Sequence, residues 1–210
     1  MATQDKIEML IFDAGHVLID FDWKIVKSGF AERAKRPYQD LAAVMGHLSS
    51  LGYEHGRIST VEFLAELNNQ LQSDLTLEEF KAIWILSLEE NLAMAKLLES
   101  LKQQVSKMYL LSNTNEIHWN EIHSRFNIAR HFDELVLSHT LGLAKPDPEI
   151  YEHVLELSGI SASKSLFIDD LEINVRAAEQ LGINCILFRG IEDLKSKLTS
   201  FGFSVTNGSK

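Results

Sequence analysis

The sequence predicts an α/β fold: a doubly wound parallel sheet with an inserted helical cap. Three observations point to it. Short apolar runs each end abruptly at a polar residue, the mark of strands buried on both faces. Helical patterns alternate with those runs, which implies a parallel sheet covered by helices. Residues 23–95 break the alternation and carry helical spacing alone.

The first run, Met9-Leu10-Ile11-Phe12, leads into Asp13. Met108-Tyr109-Leu110-Leu111 leads into Ser112, and Glu134-Leu135-Val136-Leu137 into Ser138. Ser165-Leu166-Phe167-Ile168 leads into Asp169-Asp170, and Cys185-Ile186-Leu187-Phe188 into Arg189. Pro148–Ser158 carries Ile150, Tyr151, Val154, Leu155 and Leu157 at helical spacing. Asn174–Leu181 does the same, with Gly182 placed to end the helix. In residues 23–95 no strand is expected. Leu41, Val44 and Leu48, then Phe63, Leu64, Leu67 and Leu71, then Phe80, Ile83, Trp84 and Leu88 recur at helical spacing. Thr60-Val61-Glu62-Phe63 and Thr76-Leu77-Glu78-Glu79 read as helix starts, the second as a capping box. The expected division is a sheet domain of residues 1–22 and 96–210 with a cap of residues 23–95. A bundle inserted after a strand's carboxyl end stands over the ligand site and is a candidate lid.

Thirty acidic and twenty basic residues in 210 give a net charge of -10. That balance argues against nucleic-acid and anionic-membrane partners, which need a basic footprint. No stretch approaches the ~20 apolar residues of a membrane span. Cys185 is the sole cysteine, so no internal disulfide is available and a cytoplasmic location is expected. Its thiol is expected to be buried and structural. The tail from Thr206 to Lys210 is polar and expected to fray. Oligomeric state is not readable.

Asp13, Ser112, Lys145 and Asp169-Asp170 fall at or near strand ends. Alone, each has a bland reading: a turn former, a helix cap, a solvated loop residue. The adjacent carboxylates are harder to dismiss, because like charges in one crevice need a compensating cation or proton. Together these residues suit one chemistry. A carboxylate attacks a phosphoryl group and forms an aspartyl phosphate. Mg²⁺ neutralises the charge between them and prefers oxygen ligands. A hydroxyl, a backbone amide and a lysine hold the phosphate oxygens.

The order of these residues resembles the haloacid dehalogenase (HAD) superfamily. The motifs are Ile11-Phe12-Asp13-Ala14-Gly15-His16-Val17-Leu18, Leu110-Leu111-Ser112-Asn113-Thr114-Asn115, Lys145-Pro146-Asp147-Pro148-Glu149-Ile150-Tyr151, and Phe167-Ile168-Asp169-Asp170 with Asn174 following. The branch most resembled is the bacterial α-D-glucose-1-phosphate phosphatase-like one. Its cap loop is similar to Glu54-His55-Gly56-Arg57-Ile58-Ser59. The resemblance implies Asp13 as nucleophile and metal ligand, and Ser112, the Asn113 amide and Lys145 as phosphate-binding groups. It implies a Mg²⁺ site of Asp13, the Gly15 carbonyl and Asp170, with Asp169 either a direct ligand or one that acts through water. Asn174 would order that loop. The implied function is Mg²⁺-dependent hydrolysis of a small phosphorylated metabolite, with a sugar phosphate preferred.

One departure stands out. Most HAD phosphatases carry a second Asp two residues after the nucleophile, as acid and base; here that position is Gly15. Loss of such a group typically costs ~10²–10⁴-fold in rate. Three readings follow: a phosphatase that uses water or another side chain such as His16, a 2-haloacid dehalogenase, or a non-catalytic binding or regulatory protein. The acidic pair Asp169-Asp170 favours the first. Asp20 and Asp22 are expected in turns, and Phe80 and Trp84 in the cap core. His118 and Trp119 either line the pocket or pack the next helix. One of Tyr53, Glu54 and His55 is expected to touch the leaving group.

Overall fold

The computed structural model describes residues 5–35 and 37–205. The tail expected to fray lies outside them. In chain order the elements are β1 (Met9–Phe12), β2 (Ile19–Asp20), α1 (Trp23–Ala34), α2 (Tyr38–Ser50), α3 (Thr60–Leu71), α4 (Leu77–Trp84), β3 (Glu89–Glu90), α5 (Leu92–Lys102), β4 (Lys107–Ser112) and α6 (Glu116–Arg125). There follow β5 (Glu134–Leu137), α7 (Ser138–Leu141), α8 (Pro148–Ser158), β6 (Ser165–Asp169), α9 (Glu172–Gln180), β7 (Asn184–Leu187) and α10 (Ile191–Ser200).

Five parallel strands form the sheet in the order β5-β4-β1-β6-β7. Alternation along β1 explains the double winding. Leu10 and Phe12 join Leu98 and Leu101 of α5 and Leu194 and Leu198 of α10 in one core. Met9 and Ile11 join Ile150 and Val154 of α8 and Ala178 of α9 on the other face. Both sets are buried, so the strand reads as a continuous apolar run rather than an alternating one. The order in which strands are added reverses at β1, with β4 and β5 on one side and β6 and β7 on the other, and the crevice at such a switch point is where these folds place ligands.

The cap has its own core, built on Phe30, Leu41, Leu48, Phe63, Leu67, Phe80 and Trp84. Thr76 and Glu79 form the expected capping box of α4, and Ser59 with Glu62 forms one for α3. Two findings refine the sequence reading. β3 lies within the stretch expected to hold no strand and pairs with β2 as a two-residue antiparallel ribbon at the base of the cap. Two residues, both glutamate, carry no periodicity to read. The expected boundary at 95 and 96 falls inside α5, whose Met94, Leu97, Leu98 and Leu101 all pack in the sheet-side core. Among the described residues no helix is long and apolar enough to cross a membrane. Cys185 is half-buried, and desolvation pushes its thiol up to about 12, which keeps it unreactive.

Candidate active site

Asp13 follows β1 directly, and its backbone N–H donates to the Ile168 carbonyl of the neighbouring β6 at 2.9 Å. The sheet thereby sets its position. Asp13 Oδ1 accepts hydrogen bonds from the Ala14 amide at 2.7 Å and from Lys145 Nζ at 2.8 Å. Lys145 Nζ also reaches Asp169 Oδ2 at 2.8 Å. The lysine side chain is 1% exposed and that of Asp169 is buried, while the Asp13 side chain keeps 10% of its surface open.

Lys145 sits in a loop, yet its backbone is pinned. Asn113 Oδ1 accepts from the Lys145 amide at 2.9 Å, and Asn113 Nδ2 donates to the Lys145 carbonyl at 2.7 Å. This reciprocal pair ties the loop to the end of β4, where Ser112 is buried. Asn113 thus contributes its side chain to the architecture, a role its motif did not announce.

The two carboxylates of the acidic pair differ. Asp169 is completely buried and accepts from Lys145 Nζ, from the Leu171 amide at 2.8 Å, and from Asn174 Nδ2 at 3.0 and 3.1 Å to its two oxygens. Asn174 is itself held by Tyr151, whose hydroxyl donates to the Asn174 carbonyl at 3.0 Å. Asp170 is only half-buried, and Arg189 binds its backbone carbonyl, not its side chain.

Carboxylate oxygens of Asp13, Asp169 and Asp170 all lie within 4.8 Å of one another. Burial lifts the Asp13 carboxyl to about 6, against the pull of Lys145 and with Asp169 pushing the same way. Burial and then Asp169 also raise Asp170. Burial alone would lower Lys145, but Asp13 and Asp169 outweigh it and keep the ammonium charged. Three carboxylates against one ammonium leave a site short of positive charge. Hard oxygen donors in an acidic, partly open cluster fit a divalent cation such as Mg²⁺.

Around Gly15 the chain makes a tight turn. His16 N donates to the Ile19 carbonyl at 2.7 Å, and Leu18 N and Ile19 N donate to the Ala14 carbonyl, so these bonds leave the Gly15 carbonyl out. His16 is exposed at φ 53°, and its ring stacks on Phe21 with centroids 4.2 Å apart. A Cβ on residue 15 would lie 3.2 Å from Phe21 Cε1, so the ring occupies the space beside the missing acid. Asp22 caps α1 by accepting from the Lys24 amide at 2.7 Å, and Asp20 lies in the β2–β3 ribbon.

His118 packs rather than lining an open pocket. Its Nε2 lies 3.0 Å from the Trp84 carbonyl and its ring stacks on Trp84 at 5.3 Å. The fully buried Asn115 accepts from Trp84 Nε1 at 3.3 Å and from the His118 amide at 3.1 Å. Burial drops the His118 pKa to about 4, so the imidazole that donates to Trp84 is neutral. Trp119 packs in the sheet-side core. The residue that sequence reasoning passed over is Ser138, although it ends a strand-like run as Ser112 does. Ser138 Oγ accepts from the Thr114 amide at 3.0 Å and donates to the Glu54 carbonyl of the cap.

The sequence model of the haloacid dehalogenase-like hydrolases matches residues 7–182. The D-ribitol-5-phosphate phosphatase of Bacteroides thetaiotaomicron is 30% identical over 205 residues, covering 92% of this chain and 97% of that protein. The phosphorylated carbohydrates phosphatase of Thermotoga maritima is 28% identical, covering 86% of this chain and 84% of that one. A HAD-family enzyme of Bacteroides thetaiotaomicron crystallised with magnesium and inorganic phosphate superposes with a TM-score of 0.76 at 29% identity, over 86% of this chain and 93% of that one.

Proposed function

The chain belongs to the haloacid dehalogenase-like hydrolases, and on that premise we propose that it is a Mg²⁺-dependent phosphatase of a small phosphorylated sugar or sugar alcohol, with Asp13 as nucleophile. One observation carries the reading: Asp13, held by a buried lysine, shares a three-carboxylate cluster at the sheet's carboxyl edge.

Ala14 and Lys145 both bind Asp13 Oδ1, which fixes the carboxylate in orientation. An oxygen of Asp13 attacks phosphorus while the bond from phosphorus to the leaving oxygen breaks. The product is an aspartyl phosphate and an alkoxide. Gly15 has no side-chain acid, so the alkoxide takes its proton from water. Water then attacks the phosphorus of the aspartyl phosphate, releases inorganic phosphate and restores Asp13. Lys145 stays charged throughout and attracts the phosphate oxygens. Ser112 Oγ and the Asn113 amide donate to the same oxygens. Asp13, Asp170 and the Gly15 carbonyl would hold Mg²⁺, which when bound neutralises charge between carboxylate and phosphate. Asp169, already taken by four donated hydrogen bonds, positions Lys145.

Relatives that act on ribitol 5-phosphate and on phosphorylated carbohydrates support the substrate class. The test is a phosphate-release screen over sugar, sugar-alcohol, nucleotide and carboxylic-acid phosphates, with and without Mg²⁺. Chloride release from 2-chloropropionate runs alongside. Metal-dependent phosphate release with sugar-type esters is expected. Chloride release, or turnover indifferent to chelation, would overturn the reading.

A further inference from the structure

The cap reaches the motif loops through the 3₁₀ turn Tyr53–His55. Ser138 fastens it, bound to the Glu54 carbonyl on one side and to the Thr114 amide on the other. Thr114 lies two residues beyond Ser112, so the turn is tethered beside the phosphate-binding loop. Gly56 makes the approach possible. It has φ 65°, and a Cβ there would fall 2.2 Å from the His139 carbonyl oxygen.

The three residues of the turn are not equivalent. Tyr53 is turned inward: its ring stacks on Phe63 at 4.5 Å and its hydroxyl lies 2.9 Å from Thr60 Oγ1. Glu54 is anchored by its backbone, while its accessible carboxyl lines a cleft of about 70 Å³ with Trp23, Ser49, His55 and Trp84. The surrounding walls desolvate this carboxyl and raise its pKa. From Trp23 an aromatic wall runs to Phe21 at 5.6 Å, and Phe21 covers Gly15. Glu54 and Trp23 therefore share one cleft, and Trp23 leads through Phe21 to the nucleophile loop.

Resting on the phosphatase reading above, we infer that Glu54 is the specificity-determining residue for the leaving group. It selects a neutral, polyhydroxylated one by accepting hydrogen bonds from its hydroxyls, and it repels esters that carry a carboxylate there. Aromatic faces suit the C–H surface of such a group, and a carboxylate acceptor strengthens each hydroxyl contact.

Glu54→Gln and Glu54→Asp test this. For each, kcat and KM are measured on ribitol 5-phosphate, glucose 1-phosphate and p-nitrophenyl phosphate, with the inhibition constant of phosphoglycolate against p-nitrophenyl phosphate. Glu54→Gln is expected to lower kcat/KM for the polyol esters relative to p-nitrophenyl phosphate by about tenfold or more, mainly through KM. It should also tighten phosphoglycolate severalfold, and Glu54→Asp should restore part of both effects. A uniform change across all ligands would overturn the inference, as a merely structural residue would produce it. Should the wild type turn over p-nitrophenyl phosphate but no polyol ester, the substrate class proposed above fails. The phosphoglycolate constant then still decides the role of Glu54: a value that Glu54→Gln leaves unmoved overturns it.

Discussion

Asp169 at the end of β6 receives hydrogen bonds from Lys145, Leu171 and Asn174 and has no freedom left, whereas Glu54 in the cap is fastened through its backbone and leaves its carboxyl accessible. The sheet end holds charges in a network where each group orients the next. The cap turn holds a side chain by one serine and one glycine contact. On the proposed function, the groups assigned to the chemistry are packed at strand ends and their adjoining loops, and the group assigned to substrate choice hangs from a cap turn.

Removal of Lys145 strikes the sheet-end network hardest. Lys145→Ala leaves Asp13 and Asp169 buried beside each other without their cation. A fall in kcat of at least ~10²–10³-fold is expected, measured by phosphate release. A fall in unfolding free energy of about 3–5 kcal/mol should accompany it, measured by urea unfolding.

The acidic pair comes next, because its two members should fail differently. Asp170→Ala is expected to weaken Mg²⁺ binding by at least roughly 10–100-fold, the scale of losses when a group that only orients a metal ligand is removed, with little change in stability. Asp169→Ala removes one of the two carboxylates on Lys145 and the acceptor of the Leu171 amide and Asn174; it should cost about 1–3 kcal/mol of stability and should disturb Mg²⁺ binding less. Calorimetric Mg²⁺ titration of both variants checks this, and equal losses of affinity would erase the distinction between the two carboxylates.

On the cap side, Ser138→Ala unties the Glu54 carbonyl and leaves the Thr114 amide without its acceptor. A loss of about 1–2 kcal/mol is expected, with KM for sugar-type esters rising more than kcat falls. The reverse pattern would place Ser138 in the chemistry rather than in the tether.

The last expectation concerns pH, at the Trp84–Asn115–His118 contact. The ordinary histidine value is 6.5, and burial depresses His118 to about 4. The unfolded chain therefore binds a proton that the folded chain refuses, so stability is complete above pH 6.5 and falls as pH drops toward 4. The contribution is at most about 3 kcal/mol. Urea unfolding between pH 7 and pH 4 should show a steeper loss for the wild type than for His118→Gln; parallel curves would refute it.

These contrasts also explain what was legible. Strands β1, β4 and β6 announced themselves because burial on both faces demands unbroken apolar runs, and the polar residue ending each run marked the site. Lys145 and the acidic pair were legible as chemistry because their types and order carry it. The bond between Ser138 and Glu54 was not, since it runs to a backbone carbonyl 84 positions away that any residue would supply. Nor was the inward turn of Tyr53, which depends on Phe63 and Thr60 being folded beneath it. The β2–β3 ribbon is too short to leave a pattern.

The central claim is that Asp13 is the phosphoryl acceptor. Phosphate release from ribitol 5-phosphate and p-nitrophenyl phosphate, measured with saturating Mg²⁺ for the wild type and Asp13→Asn, tests it most directly when a circular dichroism melt of each accompanies it. The account predicts metal-dependent turnover by the wild type and none above background by a folded Asp13→Asn protein. Turnover retained by that variant would contradict it.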